Sequence, residues 1–186
     1  ETGCFGKEAY ILTGYFNLPK VLELALHDGV DPRTGQRLGP ATGDPRAMAS
    51  FDALYTAFEV QLHHLLEIKL RGNQYIERMF ATLAPAPFLS VITDDCIAKG
   101  LDYNAGGPRY NTNYIQGVGL GTITDSLSSI QTHVYEQGDL TMGEMLAALA
   151  DNLSDEATRL MLSNRTPRYG NDDDRADALM LRVVES

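Results

Sequence analysis

Residues 109–138 read RYNTNYIQGVGLGTITDSLSSIQTHVYEQG, and this stretch decides the fold. Tyr110, Thr112, Tyr114 and Gln116 recur at every second position, the period at which side chains share one face of a strand. The pattern predicts a strand over 110–117. Three glycines then punctuate the chain at Gly117, Gly119 and Gly121, and the following residues predict a helix over 122–135. A strand, a tight glycine turn and a helix make one α/β step. The glycines do not form a phosphate loop, because their spacing is not G-x-G-x-x-G and no lysine follows at the required place. They read instead as a tight turn or a point of close backbone packing.

On either side the chain is mostly helical. LPKVLELALHDG (18–29) sets Val21, Leu22, Leu24, Ala25 and Leu26 between a proline start and a glycine stop, as a short buried helix does. The next nineteen residues, 30–48, are dense in Gly, Pro, Thr and Asp and read as a loop. The longest helical signal follows. Ser50 is the N-cap candidate, Leu54, Phe58, Leu62, Leu65 and Leu66 follow at helical spacing, and Gly72 is a candidate kink. PAPFLSVITDDCIAKGLDY (85–103) reads as a proline-broken entry and a short helix closed by Gly100. TMGEMLAALADNL (141–153) is helical, and the final segment opens on an acidic first turn suited to a helix dipole. Helices around at least one strand give an α/β class. The strand count is too low for a self-sufficient sheet, which predicts that the chain is part of something larger.

With 186 residues the chain has the size of one domain or of a piece of a larger one. The formal charge of −10, from 15 basic and 25 acidic side chains, opposes binding to a phosphate backbone. No apolar run is long enough to span a bilayer. The two cysteines, Cys4 and Cys96, have neither metal-ligand spacing nor a disulfide framework, and a reducing, cytoplasmic setting suits them. Cys96 reads as a small buried residue, and nothing places a histidine beside Cys4. His63 and Glu67 are four residues apart and share a helix face, but no third ligand stands at a recognisable spacing, so a polar rim or a satisfied core histidine is the simpler reading. Asn171–Asp174 lacks the alternation and closing Glu of a calcium loop and reads as an acidic helix start.

Six segments carry more than their composition. ETGCFGKEAYILTGYFN (1–17), GNQYIERMFA (72–81), PAPFLS (85–90), DYNAGGPRYN (102–111), YIQGVGLGTITDSL (114–127) and RTPRYGNDDD (165–174) stand in this order along the chain. Together they resemble the C-terminal half of a glycyl radical enzyme of the pyruvate formate-lyase superfamily. The resemblance implies a partial ten-stranded β/α barrel, helix-rich, with residues 1–186 forming part of the catalytic domain. In the family a Gly-Cys-Val-Glu motif supplies a thiyl radical from its Cys and, in the dehydratase and eliminase branches, a base from its Glu. Glu1 matches that Glu. The chain then starts just after the radical Cys and ends before the glycyl radical motif, because Arg182, Val183 and Val184 lead to Glu185 and not to Gly. Cys4 follows the Glu and is not the radical Cys.

Within the superfamily, the first segment and GGPRYN are most similar to the trans-4-hydroxy-L-proline dehydratase branch. There a Tyr fourteen residues after the Glu lines the substrate pocket, and Tyr15 matches it; the alternative is that Tyr15 is a core aromatic. The implied reaction is radical dehydration of trans-4-hydroxy-L-proline to 1-pyrroline-5-carboxylate. The implied cofactor is no bound group but a protein-derived glycyl radical outside this chain. The implied partners are a small-molecule substrate, a radical S-adenosylmethionine activating enzyme and a second copy in a homodimer. Choline trimethylamine-lyase, glycerol or propanediol dehydratase and 4-hydroxyphenylacetate decarboxylase share the scaffold and stand as alternatives, as does a truncated, non-catalytic chain. Pyruvate formate-lyase itself uses two adjacent cysteines and no Glu two residues on. The chain by itself, without either radical-bearing residue, is expected to be inactive.

Overall fold

The computed structural model of the chain describes residues 6–186. They fall into two compact units, one formed by the residues up to Phe16 with Leu66–Gly117, the other by Asn17–Leu65 with Val118–Ser186.

The first unit holds strand β1 (Glu8–Asn17), all but the last residues of each strand lying within it, and strand β2 (Tyr110–Val118). The two pair as a parallel two-stranded sheet, entered by the Tyr110 N–H donating to the Lys7 carbonyl at 3.0 Å. β2 is the strand its alternation predicts. β1 is a second strand that the composition of its segment does not announce. Before β2 come the short helices α3 (Pro87–Ile92) and α4 (Cys96–Lys99), the latter capped by Gly100 as expected.

The second unit is helical. Helix α1 (Leu18–Ala25) has Asn17 as N-cap and buries Val21, Leu22, Leu24 and Ala25, matching the proline-to-glycine reading of its segment. Helix α2 (Phe51–Leu83) begins beside Ser50, whose hydroxyl accepts the Ala53 N–H at 3.2 Å. Up to Leu65 it contributes Leu54, Tyr55, Phe58 and Leu62 to this unit's core; from Leu66 it belongs to the first unit and runs through Gly72 without a break. Helix α5 (Leu120–Ile130) buries Ile123, Leu127 and Ile130 and continues as a π-helical turn over Gln131–Glu136. The expected strand–turn–helix step is therefore present. Gly119 makes it feasible: its φ is +85°, and a Cβ there would lie 2.6 Å from the Pro19 ring, too close for any side chain.

Helices α6 (Met142–Ala150), α7 (Glu156–Arg165) and α8 (Asp174–Glu185) complete the unit. α6 starts with a reciprocal capping box between Thr141 and Glu144. α8 starts with Asp173 accepting the Arg175 N–H, so the acidic run is a helix start and not an ion site. α5 packs against α1 and α8. Each fully buried Leu, Ile or Val in this core is worth about 1.5–3 kcal/mol over its exposed state. No helix among the described residues is long and apolar enough to cross a membrane.

The loop after α1 is organised by one carboxylate. Asp31 is buried and receives Lys20 Nζ at 2.6 Å, the Thr34 hydroxyl at 2.8 Å and the Arg33 N–H at 3.2 Å. The Lys20 ammonium first, then the Thr34 hydroxyl, hold its pKa down to about 2. A carboxylate depressed in the folded state contributes stability above its ordinary value near ~3.9, and that contribution disappears as pH falls towards the folded value. Asp31→Asn is expected to lower the melting temperature at pH 6 and to flatten the acid limb of the stability curve between about pH 4 and about pH 2. Thermal melts across that window check it, and an unchanged acid limb counts against the assignment.

Candidate functional site

The functional reading of the sequence rests on Glu1 and Tyr15. Glu1 lies outside the described residues. Tyr15 lies near the end of β1 and is 65% exposed in this chain. Gly14, just before it, has a φ of +124°, and a Cβ there would sit 2.9 Å from Lys69 Nζ of α2.

The start of β1 is fixed at three consecutive residues. The Gly6 carbonyl accepts the Asp94 N–H, and the Lys7 carbonyl accepts the Tyr110 N–H. The Glu8 carboxylate then accepts the Thr112 hydroxyl at 2.8 Å and the Tyr114 hydroxyl through the same oxygen, Oε1. Sequence reasoning singled out Thr112 and Tyr114 only as strand residues and did not mark Glu8. About a hundred residues separate the partners, and no local pattern joins them.

β2 is aimed by a corner built from PAPFLS and DYNAGGPRYN. Asp102 Oδ2 accepts the Ala86 N–H and lies 2.9 Å from the Ser90 hydroxyl, while Oδ1 accepts the Asn104 N–H at 2.9 Å. These donors, the Asn104 N–H foremost, hold the Asp102 carboxyl below the usual range. The Ser90 oxygen also accepts the Tyr103 N–H at 2.8 Å. Arg109 clasps Asp95 with two bonds of 3.0 Å, and this pair holds the Asp95 carboxyl below its usual range. Cys96 is buried beneath the corner as a free thiol, and burial pushes its pKa up, away from nucleophilic use.

His63 is exposed, with Nε2 3.0 Å from the Ser186 carbonyl. No group of three metal-ligating side chains occurs among the described residues. A different histidine is fully buried. His133 Nδ1 is 2.8 Å from Asp139 Oδ2, and Nε2 is 3.1 Å from Thr166 Oγ1. With Ser128 donating to the Pro167 carbonyl at 2.7 Å and Asp125 accepting the Tyr169 N–H at 3.0 Å, it binds the RTPRYG segment to α5.

Comparison with known proteins assigns this arrangement. The family model described as pyruvate formate lyase-like matches residues 1–186. The chain belongs to that family. Along its whole length it is 53% identical to trans-4-hydroxy-L-proline dehydratase of Clostridioides difficile and spans 24% of that protein. The crystal structure of hydroxyproline dehydratase from Clostridioides difficile, with trans-4-hydroxy-L-proline bound, superposes with a TM-score of 0.95 at 52% identity, covering 100% of this chain and 24% of that one. The glycerol-bound B12-independent glycerol dehydratase of Clostridium butyricum superposes at 0.87 with 30% identity, over 97% of this chain and 23% of that one. The chain thus spans about a quarter of the length of the relatives it matches, and its fold is part of a glycyl radical enzyme barrel.

Proposed function

We propose that this chain is a segment of a glycyl radical dehydratase that eliminates water from trans-4-hydroxy-L-proline. The observation that carries the reading is the 53% identity over the whole chain to a dehydratase of that name. The segment belongs, on this reading, to the catalytic domain between the radical Cys and the glycyl radical motif. The radical is protein-derived, generated by a radical S-adenosylmethionine activating enzyme, and the full protein is a homodimer.

The chemistry divides among few groups. The thiyl radical takes a hydrogen atom from the ring carbon beside nitrogen. Glu1 takes a proton from the substrate, the neighbouring hydroxyl leaves as water once an acid protonates it, and the product radical takes a hydrogen atom back from the Cys thiol, which restores the thiyl radical. Such a base works best as a carboxylate whose pKa is matched to the operating pH in a water-excluded pocket. Tyr15 contributes a hydroxyl to the wall of that pocket. The exposure of its ring in this chain is compatible with that role. α3 points the same way: Phe88, Val91 and Ile92 are all exposed and the helix buries none of its residues, a surface suited to cover by further protein.

The decisive experiment is anaerobic activation of a full-length protein carrying this chain, followed by assay of trans-4-hydroxy-L-proline consumption. Turnover dependent on the activating enzyme is the expected result. A strong glycyl radical signal with no consumption would move the reading to another dehydratase of the family.

A smaller test concerns Tyr15. Tyr15→Phe removes only the hydroxyl, and a lost hydrogen bond to a polar or charged partner costs ~1–3 kcal/mol. At ~1.4 kcal/mol per factor of ten, catalytic efficiency falls about ten- to hundredfold. Melting temperature and radical yield stay at their wild-type values. A silent Phe variant would remove Tyr15 from the pocket wall.

A further inference from the structure

We infer that Glu8 is a positioning residue for Glu1, anchoring through Thr112 and Tyr114 the point where the base-bearing segment joins the sheet; this rests on the dehydratase reading above. Glu8 follows Glu1 closely in the chain. On this inference, where β1 begins matters for where Glu1 is held. The structure fixes this beginning at several points. Gly6, Lys7 and Glu8 are each bonded, to the Asp94 N–H, to the Tyr110 N–H and to two side-chain hydroxyls.

The third of these differs in kind from the first two. Backbone bonds between parallel strands fix spacing, but the same bonds re-form after a register slip, and a slip moves side chains to the wrong face. Glu8 Oε1 accepts from Thr112 and Tyr114, two residues that share one face of β2. Only one register allows both bonds. An ionised carboxylate accepts and does not donate, so two hydroxyl donors on one oxygen suit it. Thr112 Oγ1 also lies 3.5 Å from the Ala9 carbonyl, close to the same strand.

The role makes a prediction that separates it from catalysis by Glu8 itself. In the activated full-length protein, Glu8→Ala removes the shared acceptor and lowers kcat about ten- to hundredfold, as a displacement of about an ångström at a reacting group does, with KM changed much less. Glu8→Gln keeps an acceptor oxygen for the hydroxyls and retains most of the wild-type kcat. Tyr114→Phe, which removes one donor, falls between the two. Glycyl radical yield, measured by electron paramagnetic resonance, stays unchanged in all three. If Gln is as inactive as Ala, Glu8 is a chemical participant and the positioning role is overturned. If Ala lowers radical yield and melting temperature while turnover per radical is unchanged, the cluster serves the fold alone, and the inference fails as well.

A substrate-independent readout accompanies these. Hydrogen exchange at the Tyr110 amide, which pairs with Lys7, accelerates in Glu8→Ala and not in Glu8→Gln; equal protection in both overturns the anchor. Should the wild-type protein not consume trans-4-hydroxy-L-proline, the dehydratase assignment falls, and the exchange measurement still decides whether Glu8 holds the register.

Discussion

Glu1→Gln, made in a full-length protein carrying this chain, is expected to remove turnover while leaving the fold and the glycyl radical intact. The substitution is nearly isosteric and takes away only the basic oxygen. A positioned general base contributes about 10²–10⁴-fold, and kcat should fall by that amount with little change in KM, since the proton moves only on the way to the transition state. The measurement needs three numbers on one preparation: turnover, radical yield and melting temperature. Turnover within about threefold of wild type would remove Glu1 as the base. Loss of radical yield together with turnover would assign Glu1 to radical generation or storage, and the dehydratase mechanism would need another base. The contrast with Glu8 is informative. Glutamine preserves what Glu8 is inferred to supply, an acceptor, and destroys what Glu1 is proposed to supply, a base. One substitution at two carboxylates in the same segment therefore gives opposite results if both roles hold.

What could be read in the sequence was local. β2 and α5 were legible because the period switches from two to helical across glycines, and Gly119 sits where a left-handed backbone and the Pro19 ring exclude a side chain. α1 was legible because Pro19 and Gly29 bracket it and its apolar residues cluster around a single Glu23. β1 was not, because Ala9–Leu12 is an apolar-aromatic run without alternation and Gly14 interrupts it. α7 was passed over because its apolar residues Leu160, Met161 and Leu162 are adjacent and its face is weakly defined; the Asp155 cap, which accepts the Thr158 N–H at 2.8 Å, was its available signal. The site divides in the same way. Glu1 and Tyr15 were reached through a family resemblance, not through physics. The Glu8 cluster and the His133–Asp139–Thr166 bonds join residues distant in the chain, and only the fold brings them together.

Gly107→Ala is expected to be among the most destabilising single-methyl additions in the first unit. A Cβ at Gly107 would lie 2.7 Å from Cys96 Sγ and 2.8 Å from the Asp102 carbonyl, and closer still to the Leu101 carbonyl. The two carbonyls are backbone, and backbone has no rotamer by which to yield. Nor can the segment slide easily. The Gly107 N–H donates to the Asp102 carbonyl at 3.0 Å, the Leu101 N–H donates to the Cys96 carbonyl at 3.1 Å, and Lys99 Nζ reaches the Pro108 carbonyl at 2.9 Å. Forcing a methyl group into a filled site costs ~1–3 kcal/mol, and the upper end applies where the neighbours are tied. The corner also aims β2, so the Arg109–Asp95 pair and the Tyr110–Lys7 bond should loosen with it. Gly72→Ala provides the control of opposite sign. Gly72 stands inside α2, a Cβ there would meet nothing within 4 Å, and Ala should stabilise the helix by up to ~1 kcal/mol. Urea unfolding of the two full-length variants beside the wild type reads both: the midpoint falls for Gly107→Ala and rises or holds for Gly72→Ala. An unchanged midpoint for Gly107→Ala would mean that the 96–107 corner can relax around a methyl group, and the account of how β2 is aimed would have to be given up.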